Sequence, residues 1–232
     1  MPADEAEHAA KVLRLATGAM VRVFDGQGHE FDAQVVRATK AAVIVRIGSA
    51  REPAAEEPRV AVTLAVAVLK GEKMDDVVRD AVMIGASAIL PVVTERSEVS
   101  RASLVRAHRQ ERWTRIAVSS AKQCGRALVP TVMEPVEFAG LAAALEQRNI
   151  PGPGLMLVEP AASVEAISLS ELDPQPPKEA TVIIGPEGGW AAQELERLSG
   201  TCRFVRLGAR TLRADRAPLV ALAALLTVWR DL

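Results

Sequence analysis

The sequence predicts an α/β protein, a parallel sheet with covering helices, preceded by a small antiparallel β domain. Three observations lead there. From Val60 onward, apolar strand-like runs alternate with helical stretches, the order that builds parallel sheets. Before that point, short β-prone runs are separated by turn residues and carry no helical period. Between the two patterns lies Arg51 to Arg59 (REPAAEEPR), which reads as a proline-rich, acidic linker.

Val21 to Phe24, Glu30 to Arg37 and Ala42 to Ile47 are the β-runs of the first part, with Asp25-Gly26-Gln27-Gly28 as a hairpin turn. No helix follows those glycines, so the strand-loop-helix context of a Rossmann-type methyltransferase is lacking. The run VAVTLAVAVL from Val60 opens the parallel sheet. Asp75 to Gly85 reads as a helix with Val78, Ala81, Val82 and Gly85 on one face, and Asp75 and Arg79 form an i,i+4 pair on its solvent side. Ile89 to Val93 is the next strand, and a long helix runs through Trp113, Ile116, Ala117, Ser120 and Cys124, a stripe spaced for core packing. Leu155 to Val158 is a strand and Leu172 to Lys178 (LDPQPPK) a loop. The last helix begins near Asp215 as its cap, tolerates Pro218 in its first turn, and turns Leu222, Leu225, Leu226 and Trp229 inward.

At 232 residues the chain can form one large domain, or a small domain joined to a medium one, and its 49% hydrophobic content supports a sizeable core. A formal charge of −1 excludes gripping nucleic acid by bulk charge. Charge is uneven, however: Arg101 to Pro130 holds seven Lys or Arg against one acid, Glu111, a local balance of +6 where a phosphate backbone would be met. A solvated basic helix face explains several of these equally well. Cys124 and Cys202 are too few for a disulfide framework or a zinc site, so a reduced, cytoplasmic protein without a metal is expected. The acidic amino end is not a secretory signal, and Ala217 to Trp229 falls short of the roughly 20 residues a membrane helix needs. With no tyrosine, four phenylalanines and three tryptophans, a surface that reads RNA mainly by base stacking is less expected than an enzyme that recognises structured RNA by shape and charge.

The densest chemical signal is Ala180 to Trp190, ATVIIGPEGGW. Val182, Ile183 and Ile184 have the continuity of a buried strand, Gly185, Gly188 and Gly189 surround one proline and one carboxylate, and Ala191 to Leu198 (AAQELERL) can begin a helix. Taken alone, this is as well explained by a tight strand-to-helix connection as by a ligand loop. About twenty residues on, Arg203 to Leu207 makes another short strand and is followed by Gly208 and by Arg210, Arg213 and Arg216. If the two strands are neighbours in a parallel sheet, both loops emerge at one carboxyl edge, where open α/β sheets place ligands. Phosphates of a nucleotide at the helix start are an alternative occupant, but the Lys-Ser or Lys-Thr of a P-loop is missing.

These segments resemble the bacterial uridine-N3 methyltransferases of small-subunit ribosomal RNA, the RsmE group of the SPOUT superfamily. The resemblance runs through IIGPEGGW and LGARTLRADRAPLVALAAL, HAAKVLRLATGAMVRVFDGQGHEF near the amino end, LKGEKMDDVVRDAVMIGASAILPVVTERS from Leu69 and RWTRIAVSSAKQCGRALVP from Arg112. The chain departs from the group where it starts MPADEAEH rather than with an arginine-bearing strand. It departs again at Leu212-Arg213-Ala214-Asp215-Arg216-Ala217, where the group often reads Leu-Arg-Thr-Glu-Thr-Ala, and at Lys122-Gln123-Cys124, where Glu-Gln-Ser is usual. Trp190 stands where the group usually has phenylalanine.

The resemblance implies a PUA-like β-barrel over residues 1–57 and a SPOUT methyltransferase domain over 58–232, with a carboxyl-terminal deep trefoil knot and a homodimer. It implies S-adenosylmethionine as methyl donor, held among Leu157, Gly185, Pro186, Glu187, Gly188, Gly189, Leu207, Gly208 and Leu212, with Trp190 packed beneath the loop. The substrate would be small-subunit ribosomal RNA in the assembled subunit, met by Lys11, Arg14, Arg112, Arg126 and Arg210, with no membrane involved. Loss of the N3 proton makes uracil anionic, and a fixed arginine beside its carbonyl oxygens would stabilise that charge. Arg213 is the first candidate, Arg126 the second, and Glu187 the candidate base, although a carboxylate near a helix start is stabilised by free amides alone. A non-catalytic ribosome-assembly factor that kept the fold is the rival from another class.

Overall fold

The computed structural model describes residues 15–39 and 42–232. Two compact units appear: one holds the described residues up to Glu56 together with Lys122–Val129, and the other holds Glu57–Ala121 with Pro130–Leu232.

In the first unit, β1 (Met20–Phe24), β2 (Glu30–Ala38) and β3 (Val43–Arg51) form an antiparallel sheet in that order. The Asp25 carboxylate closes the β1–β2 turn by accepting from the Gln27 and His29 N–H groups at 2.7 and 3.1 Å. Val35 and Val43 are buried between the strands, with Leu15, Ala19, Val21 and Val45 packed on them. Segment 122–129 docks on the turn, where the Gly28 N–H donates to the Ala127 carbonyl at 3.1 Å and the Val129 N–H to Gly26 at 3.0 Å.

The second unit is a parallel sheet. Its strands are β4 (Ala61–Ala67), β5 (Ala88–Val93), β6 (Thr131–Val132), β7 (Val136–Glu137), β8 (Gly154–Leu157), β9 (Ile167–Ser168), β10 (Glu179–Ile184) and β11 (Cys202–Arg206). The order is β6-β5-β4-β10-β8-β11-β9, with β7 also on β5. The β10 run is apolar because both of its faces are covered, and Ile183 pairs with Ala65 on one side and Met156 on the other. Leu141, Leu198 and Phe204 join that core.

Helix α1 (Lys73–Ile84) stops at Gly85, whose φ of 116° is left-handed and where a Cβ would lie 2.4 Å from Pro58 Cγ. The pair expected on its solvent side is absent. Asp75 is buried, and its carboxylate accepts from the Trp113 indole N–H at 3.1 Å and from Arg112 Nε at 3.0 Å, while Arg79 pairs with Asp76. A short helix, α2 (Arg101–Arg106), precedes the long α3 (Arg109–Cys124), which buries Trp113, Ala117, Ser120 and Ala121. Helices α4 (Phe138–Glu146) and α5 (Ala192–Leu198) follow. The last helix, α6 (Ala217–Val228), begins after Arg216 rather than at Asp215, with Pro218 in its first turn. It packs against α1 and β10, burying Leu222, Leu225 and Leu226. Among the described residues no helix is long and apolar enough to cross a membrane.

Beyond α6, Asp231 ties the chain to the start of β4, accepting from the N–H groups of Arg59 and Val60 at 3.0 and 2.8 Å and pairing with the Arg59 guanidinium. Burial opposes its ionisation, but these donors outweigh burial and hold the carboxyl below its ordinary value. A lowered folded pKa means that the stabilisation is complete above the unfolded aspartate value and is lost as pH falls through the folded one. Asp231→Ala is therefore expected to cost about 2 kcal/mol in urea unfolding at pH 7, as for other hydrogen bonds to charged groups. That gap should narrow below roughly pH 4. A gap that stays constant on acidification would refute the assignment.

Candidate active site

All strand pairings in the second unit are parallel, so β8, β10 and β11 end at one edge. The two strands identified from the sequence are not neighbours: β8 lies between β10 and β11. The site is therefore built from three strand-end loops rather than two. Together with Lys73 at the start of α1, they enclose a cavity of about 360 Å³.

The end of β8 and the loop after it contribute Leu157, Val158, Glu159 and Pro160. The loop after β10 contributes Gly185, Pro186, Glu187 and Gly189, and the one after β11 contributes Leu207, Gly208, Arg210, Leu212, Arg213 and Asp215. Gly188 is not among the lining residues; its carbonyl accepts from Arg96 Nη1 at 2.8 Å, and a Cβ on it would sit 3.2 Å from Arg96 Cβ. Gly189 needs its left-handed φ of 67°, and a Cβ there would meet Glu159 Oε1 at 2.4 Å. Gly185 is required for space: a Cβ would lie 2.9 Å from Cε2 of Trp190. Trp190 is buried beneath the loop, donates from its indole nitrogen to the Leu157 carbonyl at 2.8 Å, and meets the Phe138 ring at 57° with centroids 6.1 Å apart. One side chain thus locks the ends of β8 and β10 together.

Several charges at the mouth are paired. Glu187 accepts from Lys73 Nζ at 3.0 Å, and Lys70 lies 2.8 Å from Glu98. The Glu98 carboxylate holds the Lys70 ammonium above its ordinary pKa, with Glu187 adding to the effect; Lys70, helped by Lys73, holds Glu98 below its own. Arg213 Nε is 3.3 Å from Asp215, and its side chain is 76% exposed, free to turn toward a ligand. Arg216, at a position where the resembling group often has threonine, lies 3.8 Å from Asp215 and 3.7 Å from Asp80. Burial raises the Asp80 carboxyl against the pull of Arg216.

Of the expected RNA contacts, Arg210 is exposed and lines the cavity. Two others have partners or surroundings of their own. Arg112 pairs with the Asp75 carboxylate while its side chain is 46% exposed, and Arg126, in the segment belonging to the first unit, is 4% exposed. Lys11 and Arg14 lie outside the described residues. Lys73, Glu159 and Asp215 line the cavity without having been singled out, because an isolated charged residue carries no spacing signal.

A parallel α/β sheet with ligand loops at one edge carries many chemistries, and the family model described as an RNA methyltransferase domain matches residues 55–226. A model described as an RNA methyltransferase PUA domain matches residues 2–48. Ribosomal RNA small subunit methyltransferase E of Synechocystis is 31% identical over 92% of this chain and 67% of its own length. The Bacillus subtilis protein of the same name is 29% identical over 96% and 87%. Among solved structures, that enzyme from Neisseria gonorrhoeae, bound to S-adenosylmethionine, aligns with a TM-score of 0.84 at 30% identity, covering 99% of this chain and 91% of its own. A Legionella pneumophila methyltransferase in complex with the same cofactor aligns with a TM-score of 0.86 at 30% identity, covering 98% and 90%. The chain belongs to the ribosomal RNA small subunit methyltransferase E family.

Proposed function

We propose that this chain is an enzyme that transfers a methyl group from S-adenosylmethionine to N3 of a uridine in small-subunit ribosomal RNA. One observation carries the reading: three strand-end loops close round a single cavity whose lining suits that donor. At about 360 Å³ it lies within the usual range for small-ligand sites. Ile184, Leu207, Leu212 and Ala217 offer apolar wall for a base, and strand-end backbone offers donors and acceptors at its edge. Glu159, Glu187 and Asp215 favour a cationic sulfonium over a neutral thioether. When bound, the donor supplies an electrophilic methyl carbon. The protein's part is to hold it in line with the nucleophile.

Arg213 takes the role of facing a uracil carbonyl, where its charge stabilises the anion left by N3 deprotonation. Glu187, paired with Lys73, is better suited to positioning than to proton abstraction. The target base leaves its stack to present N3, an atom of the pairing edge. Arg210 meets RNA at the mouth, and a PUA-like amino-terminal barrel carrying Lys11 and Arg14 holds the surrounding RNA of the assembled subunit in the cytoplasm.

We infer also that the chain is knotted and dimeric. After β11, toward one side of the sheet, the chain returns so that α6 packs on β10 and α1, a path that supports threading of the last segment. Val220 on α6 and Met83 on α1 remain exposed, which supports an apolar interface with a second copy.

The test is methyl transfer from labelled S-adenosylmethionine to small subunits from a strain lacking the gene, followed by mass analysis of nucleosides. One 3-methyluridine per subunit is expected. Binding of ATP without S-adenosylmethionine would overturn the donor, and ribosomal RNA unchanged by the deletion would leave an assembly factor.

A further inference from the structure

We propose that Lys73 contacts the target base and, with Arg213, stabilises the uracil anion, while Glu187 holds its ammonium in place. This rests on methyl transfer to uridine N3. Lys73 and Glu187 come from different elements, both line the cavity, and their Nζ–Oε1 distance is 3.0 Å. Their side chains are 43% and 35% exposed, so the ammonium stands at the mouth, reachable by an entering base. A second ion pair from the same segment, Lys70–Glu98 at 2.8 Å, stands close by.

The chemistry calls for two cations. The N3–H bond breaks and its proton passes to water at the open mouth. The remaining charge spreads over N3 and the two carbonyl oxygens that flank it. The N3 lone pair then forms the bond to the methyl carbon as the carbon–sulfur bond breaks, and that electron pair goes to sulfur and cancels its positive charge. Arg213 enters from the loop after β11 and Lys73 from the start of α1, so one carbonyl oxygen falls to each. Glu187 is then a positioning residue: its oxygen orients the ammonium without taking the proton.

The experiment measures single-turnover methylation of small subunits from a strain lacking the gene across pH 6 to 10, beside equilibrium dialysis with S-adenosylmethionine and thermal melting. Lys73→Met is expected to slow transfer about 100-fold at pH 7, as for loss of one preorganised charge donor. It should move the rising limb of the pH profile upward, because the anion becomes harder to form, with melting temperature in place and donor affinity no weaker, since the cation lost would have repelled the sulfonium. Lys73→Arg should restore most of the rate and the position of the limb. Glu187→Gln, which keeps an acceptor for Lys73, should slow transfer only about threefold with the limb unmoved, whereas loss of a general base costs 100-fold or more. A Lys73→Met rate and limb matching an active wild type would overturn the proposal, as would a Glu187→Gln loss equal to that of Lys73→Met. An inactive wild type would instead count against the function on which it rests.

Discussion

Replacing Gly185 with alanine will weaken S-adenosylmethionine binding about 100-fold, roughly 2.7 kcal/mol. The added methyl would lie 2.9 Å from Cε2 and 3.0 Å from Nε1 of Trp190, inside contact distance, and the indole has nowhere easy to go. It is buried, hydrogen-bonded to the Leu157 carbonyl and packed against Phe138. Relief must come from moving the ends of β8 and β10, which are two of the three cavity walls. The same overpacking will cost about 1–3 kcal/mol of stability. Trp190→Phe makes room but leaves the Leu157 carbonyl without its donor, a loss of about 1 kcal/mol. The double variant should therefore bind at least tenfold better than Gly185→Ala alone, reading the coupling directly. Calorimetric titration with S-adenosylmethionine is the measurement, and wild-type affinity in Gly185→Ala would show that the indole does not fix the cavity.

Much of the fold was legible because its strands are buried on both faces. β4, β5 and β10 are apolar runs bounded by turn residues, and such runs announce themselves whatever their partners. The two-residue strands β6, β7 and β9 carry no period to detect. Helix α4 escaped for another reason: FAGLAAALE is small and apolar nearly all round, so it has no polar face to mark it. Asp75 was placed in solvent because its nearest sequence partner, Arg79, offered a local pair. Its true partners, Trp113 and Arg112, are 38 and 37 residues away, and burial of a charge among distant donors leaves no local trace.

The site was legible where glycine geometry dictates sequence. Gly185 and Gly189 are held by steric demands that nothing larger meets, and Leu207, Gly208 and Leu212 follow from the second loop. Strand order was not legible, since it depends on crossovers: the strand read at Leu155 to Val158 was not placed between the other two, and so Glu159 at its end was not set beside the cavity. Gly188 looked like its neighbours but answers to Arg96, an exposed side chain from the loop after β5. Lys73 lay in the KGEKM segment that carried the resemblance, yet only the structure sets it against Glu187.

Asp75→Ala is expected to lower stability by about 3–4 kcal/mol, the sum of what its two donors lose. The carboxylate sits in the first turn of α1, where the helix dipole already favours negative charge. It serves two donors of unequal replaceability. Arg112 is 46% exposed by side chain and can return to water, so its share is about 1–2 kcal/mol. Trp113 is 1% exposed, and without Asp75 its indole N–H is stranded, at about 1–3 kcal/mol. The order of loss in urea unfolding should be Asp75→Ala above Asp75→Asn, which keeps an acceptor for the indole, with Arg112→Ala smallest. For a unit of this size the alanine variant should melt roughly 10 °C lower. If Asp75→Asn is as damaging as Asp75→Ala, the charge on Arg112 rather than the indole bond holds α1 to α3; if neither exceeds about 1 kcal/mol, the cluster does not join the two helices.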